Sequence, residues 1–110
     1  MDTQNSKVNM KFNEAQLMQE AMRFIESTYD QHYSGKIQST ELIASADLGK
    51  GFCLGNIIKY ASRYGKKNSV ISRNGNLTAE KKDLLKIIHY AIILLHIEEE
   101  NRVKSLHEEA

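Results

Sequence analysis

Residues 55–67 read GNIIKYASRYGKK, and this stretch sets the frame for the rest of the chain. At about 100° per residue, Asn56, Lys59, Arg63 and Lys67 fall within roughly one quadrant of a helix, while Ile57, Ile58 and Ala61 turn away from it. The spacing predicts a helix over roughly Phe52 to Tyr64, with one cationic face and one apolar face, closed by Gly65. The charge pattern around it is one-sided. No acidic residue occurs between Asp47 and Glu80, whereas Lys50, Lys59, Arg63, Lys66, Lys67 and Arg73 all do. Such a local excess points to a phosphate-bearing partner.

Downstream, residues 66–77 are polar and carry the Asn74-Gly75 turn signal, so a loop is expected. Thr78 is placed to cap a long helix starting near Ala79. Its segment LLKIIHYAIILLHI, residues 84–97, is apolar nearly all round, which predicts burial on most sides. A chain of 110 residues offers little to cover such a rod, so part of its surface is expected to meet another copy in a homo-oligomer. From Glu98 to the end there are five acids against two bases, and this tail is expected to fray.

Upstream, Gly49 and Gly51 read as a break. A short helix is expected before it, capped by Ser39 or Thr40 and running through Leu42, Ile43 and Ala46. The QHYSGK segment, residues 31–36, reads as a linker. A first amphipathic helix runs from Asn13 as N-cap to about Asp30, its stripe made of Leu17, Met18, Ala21, Met22, Ile25 and Tyr29. Residues 1–11 show no periodicity and read as a disordered leader. The fold class is thus all-α: one compact domain, 12–110, of about four helices with a long C-terminal helix.

The formal net charge is +1, without the global basic excess of a general nucleic-acid binder. Cys53 is the single cysteine, which excludes an internal disulfide and fits a reducing, cytoplasmic setting. The longest apolar run, Ala91 to Leu95, is too short to span a bilayer, and no secretory signal opens the chain. No membrane partner is expected.

On the last helix Asp83, Lys86 and Tyr90 stand at i, i+3 and i+7, one polar stripe on an apolar rod. If that helix packs antiparallel to the cationic one, Asp83 comes near Arg63 or Lys67, and Lys86 and Tyr90 come beside Lys59 and Asn56. Burying unpaired charges is costly, so two readings stay open: a salt-bridge seam, or a ligand between the helices. In the second, Lys59, Arg63, Lys67 and Lys86 grip phosphate, Asn56 donates a hydrogen bond, and His32, Tyr33 or Tyr90 contact base or sugar. His89 and His96 lack close ligand partners for zinc. No GxxxxGK[ST] or GxGxxG occurs. Glu80 and Asp83 form an ExxD pair, the spacing by which all-helical nucleotide pyrophosphatases of the MazG type share magnesium, but the EExxE those enzymes need is replaced here by Lys59 and Arg63.

Three segments together, HYSGKIQSTELI (32–43), FCLGNIIKYASRYGKK (52–67) and DLLKIIHYAIILL (83–95), resemble a small phage-encoded family of nominally unknown function, the SaV-like proteins, which includes a nucleotide kinase lacking a P-loop. Its pattern of HY, GNxxKYxxRxxxK and DLxKxxxY is matched at His32, Tyr33, Gly55, Asn56, Lys59, Tyr60, Arg63, Lys67, Asp83, Leu84, Lys86 and Tyr90. The resemblance covers 32–95. It implies a phage origin, a helical fold and binding of nucleoside monophosphates with phosphoryl transfer, in which Asp83 would be the catalytic carboxylate and could help hold Mg2+. A non-catalytic sponge for a cyclic or NAD-derived immune signal would use the same cationic helix.

Overall fold

The computed structural model describes residues 8–32, 48–66 and 78–109. Among them all regular structure is α-helical: α1 (Glu14–His32), α2 (Gly49–Arg63) and α3 (Ala79–Glu109). The short helix expected before Gly49, residues 1–7 of the expected leader, and most of the 66–77 loop lie outside the described residues. The chain divides into two compact units, Met1–Gly35 and Lys36–Ala110.

In the first unit α1 forms where the apolar stripe predicts it. Asn13 sits at the N-terminal boundary with a φ of 58°, a left-handed conformation that asparagine tolerates better than most residues. Its carbonyl accepts the first helical bond, from Leu17 N at 3.0 Å, and Glu14 Oε1 accepts from Phe12 N at 2.8 Å. The helix runs two residues past Asp30 to His32. Its later turns hold hydroxyls that fold back on the backbone, Ser27 Oγ to Phe24 O and Thr28 Oγ1 to Ile25 O, at 2.6 and 2.7 Å. These bonds satisfy polar side chains that would otherwise disfavour a helix interior.

The second unit is an antiparallel pair. Lys50 meets Glu98, Phe52 meets Tyr90, and Tyr60 meets Lys86, so numbers rise along α2 as they fall along α3. Helix α2 begins at Gly49, three residues before the expected start, and passes through both glycines that read as a break. In the first turn the backbone N–H groups have no intrahelical acceptor in any case, and glycine is penalised chiefly in helix interiors. The Leu48 carbonyl accepts from Phe52 N at 3.1 Å and carries the helix across them.

The other end of α2 stops as the sequence suggests. Tyr64 has φ −58° and ψ 127°, Gly65 has φ 75°, and Lys66 N donates to Arg63 O at 3.0 Å. This is a type II turn, whose third position demands a positive φ and hence glycine. At the start of α3, Thr78 Oγ1 accepts from Lys81 N at 3.0 Å, the side-chain cap its position predicts.

Two expectations for α3 do not hold. The acidic tail does not fray: helix continues to Glu109, supported by His96–Glu100 at i,i+4 and Glu99–Arg102 at i,i+3. Nor is the apolar rod buried on most sides. Leu85 and Asp83 are its buried residues, while Leu84, Ile92 and Leu95 stay exposed. The reason is length: α2 has 15 residues against 31 in α3, so at about 1.5 Å per residue it can flank only half of its partner.

Candidate functional site

Helical spacing puts Phe52, Asn56, Tyr60 and Arg63 on one face of α2, and Asp83, Lys86 and Tyr90 on one face of α3. Where these faces meet, Tyr60 is the centre. It is buried to 7 % exposure, and three cations gather on it. Lys59 Nζ lies 4.6 Å from the ring centroid, Lys86 Nζ 5.0 Å and Arg63 Cζ 5.5 Å. All are within the range at which a ring quadrupole attracts a cation. Lys86 Nζ also donates to the Tyr60 hydroxyl at 3.4 Å. Tyr90 stacks with Tyr60 at 6.2 Å and 16°, and Phe52 meets Tyr90 edge-on at 5.8 Å and 73°.

The electrostatics follow from this packing. Burial pushes the Tyr60 phenol up, but the Lys86 ammonium, by hydrogen bond and by charge, and Lys59 after it outweigh burial, so the net shift is downward from 10.0. Arg63 Nε is buried without a hydrogen-bond partner. Asp83 is buried to 7 % exposure. Among the described residues no ion pair joins it to Arg63 or Lys86; the pairs there are Lys50–Glu98, His96–Glu100 and Arg102–Glu99.

The structure thus brings together Lys59, Arg63, Lys86 and Tyr90 of the residues singled out from sequence. Asn56 lies on the same helix face, but its Nδ2 donates to Phe52 O at 2.9 Å within α2. Tyr90 is engaged by the aromatic stack. His32 is the last residue of α1 rather than part of a loop, and its side chain, with Tyr33 and Lys67, lies outside the described residues. Among the described residues no three of His, Cys, Asp and Glu gather as a metal would require. Burial raises the Cys53 thiol and lowers His89. Cys53, fully buried, is a packing residue of α2.

Tyr60 is the residue that reasoning from sequence left without a role. It stood in the KY pair of the motif, one turn from both Asn56 and Arg63, but its place under three cations depends on how α2 and α3 align, which spacing along one helix does not fix.

A sequence profile for a protein family of unknown function, DUF3310, matches residues 25–92. The chain belongs to DUF3310. The DUF3310 segment contains every residue of the Tyr60 cluster and ends two residues after Tyr90, leaving the C-terminal half of α3 outside it. No curated protein and no solved structure matches the chain. No helix among the described residues is long and apolar enough to cross a membrane.

Proposed function

We propose that the cluster around Tyr60 binds the phosphate of a nucleotide. The observation that carries this reading is the convergence of Lys59, Arg63 and Lys86 on one buried ring, with Arg63 Nε left without a partner. Three like charges gathered around one ring repel one another, and the ring offsets only part of that. A buried donor without an acceptor costs about 1–3 kcal/mol. A phosphate oxygen on Arg63, shared with the two ammonium groups, removes both penalties through charge-assisted bonds. Nucleoside monophosphates are the ligands implied by the resemblance to the phage kinase, and the setting is then the cytoplasm of an infected bacterium. Tyr90, stacked on Tyr60, is the residue of this unit suited to a base or sugar contact.

Phosphoryl transfer is the extension of this reading. It calls for a carboxylate near the phosphate, and Asp83, three residues before Lys86 on the buried side of α3, is the residue suited to help hold Mg2+, with phosphate oxygens as further ligands. A homo-oligomer is supported by the apolar side chains that α3 leaves exposed, Leu84, Ile92 and Leu95.

The test is thermal-shift and calorimetric binding with a panel of nucleoside monophosphates, beside Arg63→Ala. Charge-assisted bonds contribute about 1.5–3 kcal/mol, so the variant should bind roughly tenfold or more weakly and stay folded. Absence of any nucleotide-induced shift, together with unfolding of Arg63→Ala, would return the cluster to a structural role. Incubation with ATP and Mg2+ followed by chromatography separates the two kinds of binder. New diphosphate that disappears in Asp83→Asn marks a kinase; a bound nucleotide recovered intact marks a sponge.

A further inference from the structure

We infer that Tyr60 is a proton-linked residue of the cationic cluster: an anion held by Lys59, Arg63 and Lys86 is bound in competition with ionisation of the Tyr60 phenol. This rests on the anion-binding reading above and adds a regulating group to it. The geometry makes the competition unavoidable. The same three cations that would hold a phosphate lie 4.6–5.5 Å from the Tyr60 ring centroid, and the hydroxyl accepts from Lys86 Nζ at 3.4 Å. Tyr60 is buried while Arg63 and Lys86 are half-buried and Lys59 is exposed, so the two half-buried charges are only partly screened. When the site is empty, these cations favour a phenolate. When an anion sits on them their charge is already matched, and a second negative charge at Tyr60 is opposed.

The neutral and ionised forms also differ as hydrogen-bonding groups. A neutral phenol accepts from Lys86 and keeps its own O–H to donate, and among the described residues no acceptor for that proton is seen. A phenolate can only accept. The downward shift of the phenol has the sign this arrangement requires. By reciprocity, a free energy by which cations promote ionisation is a free energy by which an anion suppresses it.

The other groups facing Tyr60 can be separated from it. From α2 these are Lys59 and Arg63, and from α3 Lys86 and Tyr90; the buried Asp83 lies three residues before Lys86 on the same helix. His89 stands beside Tyr90 at 6.3 Å and is shifted downward by burial, so it titrates on the acid side. Lysine deprotonation also weakens anion binding at alkaline pH. That loss persists when Tyr60 becomes phenylalanine, which keeps the ring under the cations and the stack on Tyr90 while removing the titrating oxygen.

The experiment measures affinity for AMP, and for sulfate as a base-free dianion, between pH 7.5 and 10.5 with the full chain and with Tyr60→Phe. Neither probe changes charge in that window. The wild type should lose about three- to tenfold more affinity than the variant across the alkaline range, and its binding should take up protons that the variant does not. In parallel, phenolate absorbance should show one of the five tyrosines titrating below the ordinary value without ligand and moving up with it, a step missing in Tyr60→Phe. Equal pH profiles for wild type and variant, with binding intact at neutral pH, overturn the linkage and leave the nucleotide reading standing. Failure of AMP, sulfate and the wider monophosphate panel to bind at neutral pH overturns both.

Discussion

The two ends of α3 handle charge in opposite ways. Near its start, Asp83 is buried and Lys86 half-buried, and among the described residues neither takes part in an ion pair; Lys86 points its charge at a tyrosine instead. Near its end, Glu99 grips Arg102 through two hydrogen bonds at 2.6 and 3.1 Å, and His96 reaches Glu100 at 2.8 Å, all on exposed side chains. Solvent explains the contrast. Exposed charges pair at little cost and little gain, whereas charges at a helix contact lose hydration and must be matched by something. The pairs on the outer end support the tail locally and add little to overall stability, whereas the cations at the inner end have no ion-pair partner among the described residues.

The contrast is broken most severely through packing. Leu85, at 7 % exposure, belongs to the buried end, and Leu85→Ala should cost about 2–5 kcal/mol, read as a lowered denaturant midpoint. Leu95, 68 % exposed in the chain by itself, should tolerate alanine with a change of about 0.5 kcal/mol or less. A larger loss at Leu95 that grows on dilution would show that another copy covers it.

A smaller effect comes from acid. Burial lowers His89 below 6.5, so the folded state prefers the neutral imidazole. The stability this represents is fully present above the unfolded value of 6.5 and declines as pH falls through it toward the folded value. Melting temperatures of wild type and His89→Gln, compared from pH 7.5 to 5, should therefore diverge, the wild type falling faster. Parallel curves would mean that His89 is wet.

The smallest effect belongs to the outer end. Arg102→Ala removes the bidentate pair with Glu99, and because both side chains are exposed the melting temperature should stay where it is. A measurable drop would show that the tail helix depends on its ion pairs and would erase the contrast.

Much of this was legible in the sequence, because it depended on local rules. Thr78 as a cap, Gly65 as a turn residue and the 83, 86, 90 stripe each needed only their neighbours. The start of α2 was misread because Gly49 and Gly51 look alike whether they interrupt a helix or open one, and only the backbone bond from Phe52 to Leu48 distinguishes the two. The tail was misread because net charge suggests fraying while the order of charges supplies i,i+3 and i,i+4 pairs. The burial of α3 was overestimated because hydropathy measures what a helix would like to cover, not the length of what covers it. At the site, spacing alone gave Lys59, Arg63 and Lys86; the role of Tyr60 emerged only from the register between α2 and α3.

The near-parallel Tyr60 and Tyr90 rings give the site an optical signature of its own. The chain contains no tryptophan, so tyrosine emission is not masked by a stronger fluorophore. Two phenol rings 6.2 Å apart and tilted by 16° are close enough for their transitions to couple, and three nearby cations bias the electron density of one of them. Any molecule that shifts Lys59, Arg63 or Lys86 will perturb that coupling, and near-ultraviolet circular dichroism can follow it without attaching a label.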